Sequence, residues 1–369
     1  MSSSAQSPDD LAVEHMRRHL AYVPGKQPGN PNGFVKLNTN ENPYPPSPLV
    51  ENAVRAEISK LRLYPNPRSQ LLREEIANLH GLNPSQVIVG NGSDELLTLC
   101  VRCFSNAENH IGISTPSYSL YQNLASLQGS PVVEVPFAPD FALDPERLSS
   151  CGANLFFLTS PNAPSGVGFS NGKLAEVLAL FSGLLVVDEA YADFADENAI
   201  ALLDDHERLL ITRTLSKSYG LAGLRVGYAL GSLETIALLD KAREVYNVDR
   251  LAQAAALAAI SDQDHFKAMR KKVIDTREAF ATWLRKKEWD TYESQANFIF
   301  TEPRTISGTT GPDVAENAFS FLAKRKVLTR HFAKHPLTSG RLRISIGTDN
   351  EMELVAKVIE EWLQKEQVK

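Results

Sequence analysis

Between about residue 85 and residue 231, short apolar runs alternate with turns and helical stretches. The runs are Val87–Val89, Asn109–Ile113, Val132–Val135, Leu155–Leu158, Leu184–Val187, Leu209–Thr212 and Val226–Leu230. Several are apolar throughout, as strands covered on both faces are. Helical periodicity fills Leu71–Leu79, Asp94–Phe104, Ser119–Leu127 and Gly172–Phe181 between them. This alternation predicts an α/β fold: a mainly parallel seven-stranded sheet sandwiched by helices. Two further helices, Leu233–Tyr246 and Leu251–Ser261, lead into a long charged amphipathic helix, about Asp264–Lys287. The pattern then changes. Strands are predicted at Asn297–Thr301, Val327–Arg330 and Leu342–Ile346, and helices at Pro312–Lys324 and Asn350–Glu366, giving a smaller α+β domain. The expected division is an N-terminal arm with part of the small domain at 1–45, a large domain at 46–262 and a small domain at 263–369. Pro24–Pro48, rich in Pro, Asn and Gly, reads as an ordered, irregular arm laid over the surface.

A length of 369 residues suits two packed domains. The net charge of -6 argues against a general nucleic-acid binder, so an anionic substrate needs a few placed arginines rather than a basic field. No apolar run approaches the roughly 18 residues of a membrane helix. Residues 1–10 read as a frayed tail without a signal-peptide pattern. Three cysteines build no disulfide framework and fit a reducing, cytoplasmic setting. Cys100 and Cys103 form a CxxC inside a predicted helix, away from its N-terminus and with no second CxxC, which reads as two core cysteines.

Three segments carry candidate chemistry. In Leu209–Arg225 a buried strand runs into a polar turn holding Lys217, with the hydroxyls of Thr214 and Ser216 and the cation of Arg225 nearby in sequence. Such a lysine can react as an amine when burial and neighbouring cations lower its pKa, and the hydroxyls and arginine can converge on a phosphate. Asp188 ends an apolar run and should lie at the carboxyl edge of a parallel strand, where α/β proteins bind ligands. Its buried carboxylate requires a partner, which can be a protonated pyridine nitrogen, a helix N-cap or an internal ion pair. In Val87–Glu95 a strand enters a Gly-rich turn and a helix begins near Ser93, presenting free N–H groups to an anion.

Together these segments resemble the fold-type I aminotransferases, and within them the histidinol-phosphate aminotransferase family. The resemblance runs from Tyr22 to about Gly347. It rests on Leu37-Asn-Thr-Asn-Glu-Asn-Pro43, Tyr64-Pro-Asn-Pro67, Gly92-Ser-Asp-Glu95, Thr115-Pro-Ser-Tyr118 and Ser160-Pro-Asn-Ala-Pro-Ser-Gly166. Asp188-Glu-Ala-Tyr191, Ser216-Lys217, Gly223-Leu-Arg225, Tyr246–Ala254 and Leu342-Arg-Ile-Ser-Ile-Gly347 complete it.

The resemblance implies pyridoxal 5′-phosphate (PLP) as cofactor and no metal. It implies Lys217 as the Schiff-base lysine and proton shuttle, Asp188 as partner of the ring nitrogen, and Tyr191 as donor to the ring's 3-oxygen. Tyr118 would stack on the ring. Gly92, Ser93, Asp94, Thr214, Ser216 and Arg225 would hold the phosphate, with Tyr64 from a second subunit of a homodimer that shares its active sites. Arg330 and Arg343 would clamp the substrate's anionic end, with Tyr22 and Asn40 lining the pocket. One position departs from the family: where an asparagine before a proline commonly bonds the 3-oxygen, this chain has Ala163. Either Asn162, one residue earlier, substitutes through a shifted turn, or Tyr191 carries the contact alone. The implied reaction is transamination between histidinol phosphate and 2-oxoglutarate. An aminotransferase for aromatic or other amino acids and a decarboxylase of a phosphorylated amino acid are the nearest rivals, and a ligand-sensing regulator is a more distant one.

Overall fold

The computed structural model describes residues 7–22 and 33–367. Its strands are β1 (Val35–Lys36), β2 (Val87–Gly90), β3 (Ile111–Thr115), β4 (Val132–Pro136), β5 (Leu155–Thr159), β6 (Leu184–Asp188) and β7 (Leu209–Thr214). They continue with β8 (Gly227–Gly231), β9 (Asp290–Thr291), β10 (Phe298–Glu302), β11 (Val327–Leu328), β12 (Arg330–His331) and β13 (Leu342–Ser345). The large sheet has seven strands in the order β2-β8-β7-β6-β5-β3-β4. Strands β3 to β7 pair in parallel, and β8 lies antiparallel to both β2 and β7.

Alternate residues of the all-apolar strands enter different cores. Phe156, Leu158, Leu185 and Val187 pack on one face of the sheet, and Leu155, Phe157, Leu184 and Val186 on the other. Helices cover both faces, so neither set of side chains meets water. A further core surrounds the sheet β12-β13-β10-β9, where Ile299 and Ile344 pack with Trp289, Trp362 and the inner face of the helix Gln263–Lys286. Among the described residues no helix is long and apolar enough to cross a membrane. Cys100 is buried and Cys103 half-buried in the helix Ser93–Phe104; both are free thiols, and burial raises the pKa of each.

Four local expectations are corrected. The single strand expected at Val327–Arg330 divides, because β11 pairs in parallel with β1 while β12 pairs with β13. The helix expected to reach Tyr246 stops at Ala242, and Arg243 then bonds Asp240 and the carbonyls of Glu244 and Val245. Part of the expected N-terminal tail, Pro8–Leu11, is a helical turn closed by a Ser7–Asp10 capping box, while residues 1–6 lie outside the described residues. The proline-rich arm, of which residues 24–32 also lie outside them, does not stay on the surface. Leu37, Asn38 and Asn40 are buried, Leu37 in the core of the smaller sheet. The apolar Leu37 and the hydrogen-bonded amide of Asn40 draw this stretch inward. The sequence reading also passed over the helix Leu49–Ile58, which packs on Arg250–Ser261.

Candidate active site

Asp188, the last residue of β6, points into a cavity of about 310 Å³ at the carboxyl edge of the parallel strands. Its carboxylate accepts from the Tyr121 hydroxyl at 2.7 Å, the Ala190 N–H at 3.2 Å and the Thr212 hydroxyl at 3.3 Å. Burial outweighs these donors and pushes its pKa up to about 6. No cation is paired with it among the described residues, so of the three partners the sequence left open, the ion pair is absent.

Lys217 follows β7 by three residues, and its Nζ donates to the Thr39 carbonyl at 3.0 Å. Burial, helped by the positive charges of Arg343 and Arg225, brings its pKa down to about 8. The turn is held from both sides. Asn42 donates to the carbonyls of Lys217 and Ser218 at 2.9 and 3.0 Å, and the Ser218 hydroxyl bonds Asp193. Asp193 and Glu189 in turn hold the buried Arg213.

At one end of the cavity lies an anion cradle. Gly92, at φ 77°, caps the helix Ser93–Phe104, and the half-exposed Arg225 bonds Asp94 at 3.1 Å and Ser216 at 3.3 Å. Arg225 itself holds a left-handed φ of 53°, which is unfavourable for a side chain with a Cβ and aims the guanidinium at the helix start. The Ser216 oxygen accepts from Thr214 as well as Arg225, leaving the serine hydrogen free for a ligand. Two glycines are required for the close approach. A Cβ on Gly92 would lie 2.5 Å from Arg225 Nη2, and one on Gly227 would lie 2.4 Å from the Ser93 nitrogen.

Arg330 and Arg343, which also line the cavity, face each other across β12 and β13. Like charges directly opposite on a sheet repel, and neither arginine forms an ion pair among the described residues. Arg343 donates to the Asn38 carbonyl at 3.1 Å and lies between the rings of Phe298 and Phe332 at 5.2 and 5.3 Å, while its Nε is buried without a partner. Burial and the neighbouring Arg330 lower its pKa. Tyr191, set edge-on to Phe298, accepts from the Asn40 amide at 2.9 Å, so its own hydrogen is free. Asn40 adopts φ 56° and is fixed by Ser345 and by the amide of Asn297. Tyr118 and the exposed Tyr22 also line the cavity.

A family model described as Aminotransferase class I and II matches residues 32–359. The chain belongs to this family. Histidinol-phosphate aminotransferase of Geotalea uraniireducens is 44% identical over 94% of this chain and 98% of its own length. The Microcystis aeruginosa protein of the same name is 40% identical over 94% of this chain and 97% of its own. The solved histidinol-phosphate aminotransferase of Sinorhizobium meliloti, in complex with pyridoxal 5′-phosphate, superposes with a TM-score of 0.83 at 26% identity, covering 98% and 96% of the two chains. Pyridoxal 5′-phosphate is the cofactor of this aminotransferase. The cavity fits it: a cradle that any Cβ would fill suits a phosphate, a buried carboxylate lacking a cation among the described residues suits a protonated ring nitrogen, and a lysine of lowered pKa lines the same cavity.

Of the site residues expected in this aminotransferase, Asn162 and Tyr64 are not brought into the cavity. Asn162 is fully buried with its side chain spent locally: it accepts from the N–H and hydroxyl of Ser165 and donates to the Pro116 carbonyl. The methyl of Ala163 lines the cavity instead. Tyr64 is 75% exposed and stacked on Tyr246. The sequence reading missed Tyr121, Thr159, Thr39, Asn42 and Phe332. None of them left a local signal that sets it apart from an ordinary core or turn residue.

Proposed function

We propose that this aminotransferase moves the amino group of L-histidinol phosphate to 2-oxoglutarate. The observation that carries the substrate assignment is the opposed pair Arg330 and Arg343, two cations with no ion-pair partner among the described residues, beside a cavity that already has a separate phosphate cradle. Supporting it, the relatives of about 44% identity are named histidinol-phosphate aminotransferases.

In this reading the backbone N–H groups of Ser93 and Asp94 bind the cofactor phosphate with Thr214, Ser216 and Arg225. Tyr118 would cover the ring, the Asp188 carboxylate would accept from the protonated ring nitrogen, and the free hydrogen of Tyr191 would go to the 3-oxygen without help from Asn162. When bound, the cofactor supplies an electron-withdrawing ring that acidifies the substrate Cα–H. Lys217, whose lowered pKa leaves part of it as the neutral amine, would be the group that holds the cofactor and moves the proton at the substrate Cα. Tyr22 and Asn40 border the substrate, and the arginines grip its anionic end. The fork of Arg343 also suits a carboxylate, so one site can serve 2-oxoglutarate in the second half-reaction.

Arg343→Lys keeps the charge but loses the planar fork, and the KM for both substrates should rise by about tenfold or more. Arg330→Ala should harm histidinol phosphate far more than phenylalanine as donor, measured with 2-oxoglutarate in both assays. Equal losses would reject phosphate recognition and favour an aromatic amino-acid aminotransferase.

The active site is shared between two copies of the chain, which work in the cytoplasm. This part of the reading is supported by Leu61, Leu63, Tyr64, Val245 and Tyr246, all 45% or more exposed. A C2 pairing would cover such a surface and exchange Tyr64 reciprocally, placing each tyrosine hydroxyl at the partner subunit's cofactor phosphate. Sedimentation should report twice 40.6 kDa. Mixing inactive Lys217→Ala chains with Tyr64→Ala chains should restore tight cofactor binding in about one site per hybrid. A fully active monomer would refute the shared site.

A further inference from the structure

Tyr121 lies wholly inside the protein, on the helix Leu120–Gln128, 67 residues before the aspartate it bonds. Its ring is clamped by stacking on Phe157 at 4.8 Å and by an edge contact with Tyr118 at 5.6 Å, so the hydroxyl cannot swing. The oxygen sits 2.7 Å from Asp188 Oδ2 and 2.6 Å from Thr159 Oγ1. An ionised carboxylate only accepts, so the tyrosine hydrogen points to Asp188 and Thr159 donates to the tyrosine oxygen. Ser117 lies 3.1 Å behind Thr159, extending the chain by one hydroxyl. The remaining donors to Asp188, Ala190 and Thr212, are longer at 3.2 and 3.3 Å and go to the other carboxylate oxygen.

We infer that Tyr121 is a positioning residue for the reaction: its hydroxyl, held by Thr159, fixes the rotation of the Asp188 carboxylate and keeps that carboxylate ionised opposite the cofactor's ring nitrogen. The inference rests on the role proposed for Asp188. A hydrogen bond to the charged form lowers a carboxylate's proton affinity. Without it, the proton shared with the ring nitrogen shifts toward Asp188, and the ring withdraws electrons less strongly. Burial holds the Tyr121 hydroxyl far above its ordinary pKa, so it stays a donor across the working pH range.

The test uses holoenzyme with Tyr121→Phe, which keeps both ring contacts and removes one oxygen. The cofactor's dissociation constant should rise and kcat fall, each by about tenfold, the usual size of a hydrogen bond to a charged group. The KM for the amino donor should stay within about twofold, since no substrate contact is lost. The pH titration of the bound cofactor's visible absorbance should move as well. Thr159→Val should act in the same direction but less, because it removes the support and keeps the donor. In an Asp188→Ala background Tyr121→Phe should add little, because the two act as one unit. A Tyr121→Phe enzyme with a lower melting temperature but native absorbance titration, cofactor affinity and kcat would show a packing role and overturn the inference. If Asp188→Ala itself left affinity and turnover intact, the role of Asp188 would fall and the inference with it. Impairment by Asp188→Ala alone would sink only the inference about Tyr121.

Discussion

Lys217→Ala is expected to lower turnover by about 10⁴-fold, the upper end of what a positioned acid–base group contributes, while the phosphate cradle and Asp188 retain the cofactor non-covalently. Among the described residues no other amine lines the cavity to take its place as covalent anchor and proton carrier. Borohydride treatment of the native holoenzyme should fix the cofactor to the peptide carrying Lys217. The covalent step needs the neutral amine. With a pKa of about 8, the neutral fraction rises about tenfold per unit of pH below 8 and levels off above it. The rate at which apoenzyme forms the covalent link should follow that curve in stopped-flow absorbance. Near-native turnover in Lys217→Ala would refute the assignment, and a pH-independent rate of attachment would refute the shifted amine.

Asp188→Ala should cost about 10²- to 10³-fold in kcat and weaken cofactor binding, because the ring would lose the carboxylate proposed to keep its nitrogen protonated. A pH signature accompanies it in the cofactor-free protein. The carboxyl titrates at about 6 when folded against 3.8 ordinarily, so between those values the folded chain holds more protons than the unfolded one. Its contribution to stability therefore falls as pH rises through that window and stays unfavourable above it. A cationic ring nitrogen removes the cost. The rise in melting temperature on loading cofactor should thus be larger at pH 7.5 than at pH 5, and Asp188→Ala should lose most of that difference. Equal gains at both pH values in the native protein would reject the pairing.

The parts of this protein legible in its sequence are those set by neighbours along the chain. Runs such as Leu184–Val187 announced strands buried on both faces, since any strand sandwiched by helices must be apolar at every position. A polar residue ending such a run lies at the carboxyl edge by chain direction alone, which is why Asp188 and the Lys217 turn could be placed beside the cavity. The Gly-rich turn before Ser93 showed its helix start in the same way.

The tertiary structure alone decided what depends on residues far apart in sequence. Tyr121 reads as an ordinary core aromatic until its hydroxyl meets Asp188 across the sheet. The exchange of partners between β11 and β12 turns on Val35–Lys36, nearly three hundred residues earlier, and no local pattern encodes it. The opposition of Arg330 and Arg343 is a matter of antiparallel register, which sets two cations side by side at the cavity. Whether the Asn162 amide was free for a ligand stayed open until the turn closed and it bonded Ser165 and the Pro116 carbonyl. Local periodicity is written by the solvent on each side of a strand or helix. Hydrogen-bond partners are chosen by whichever groups the folded chain brings within about 3 Å, and that choice needs the whole fold.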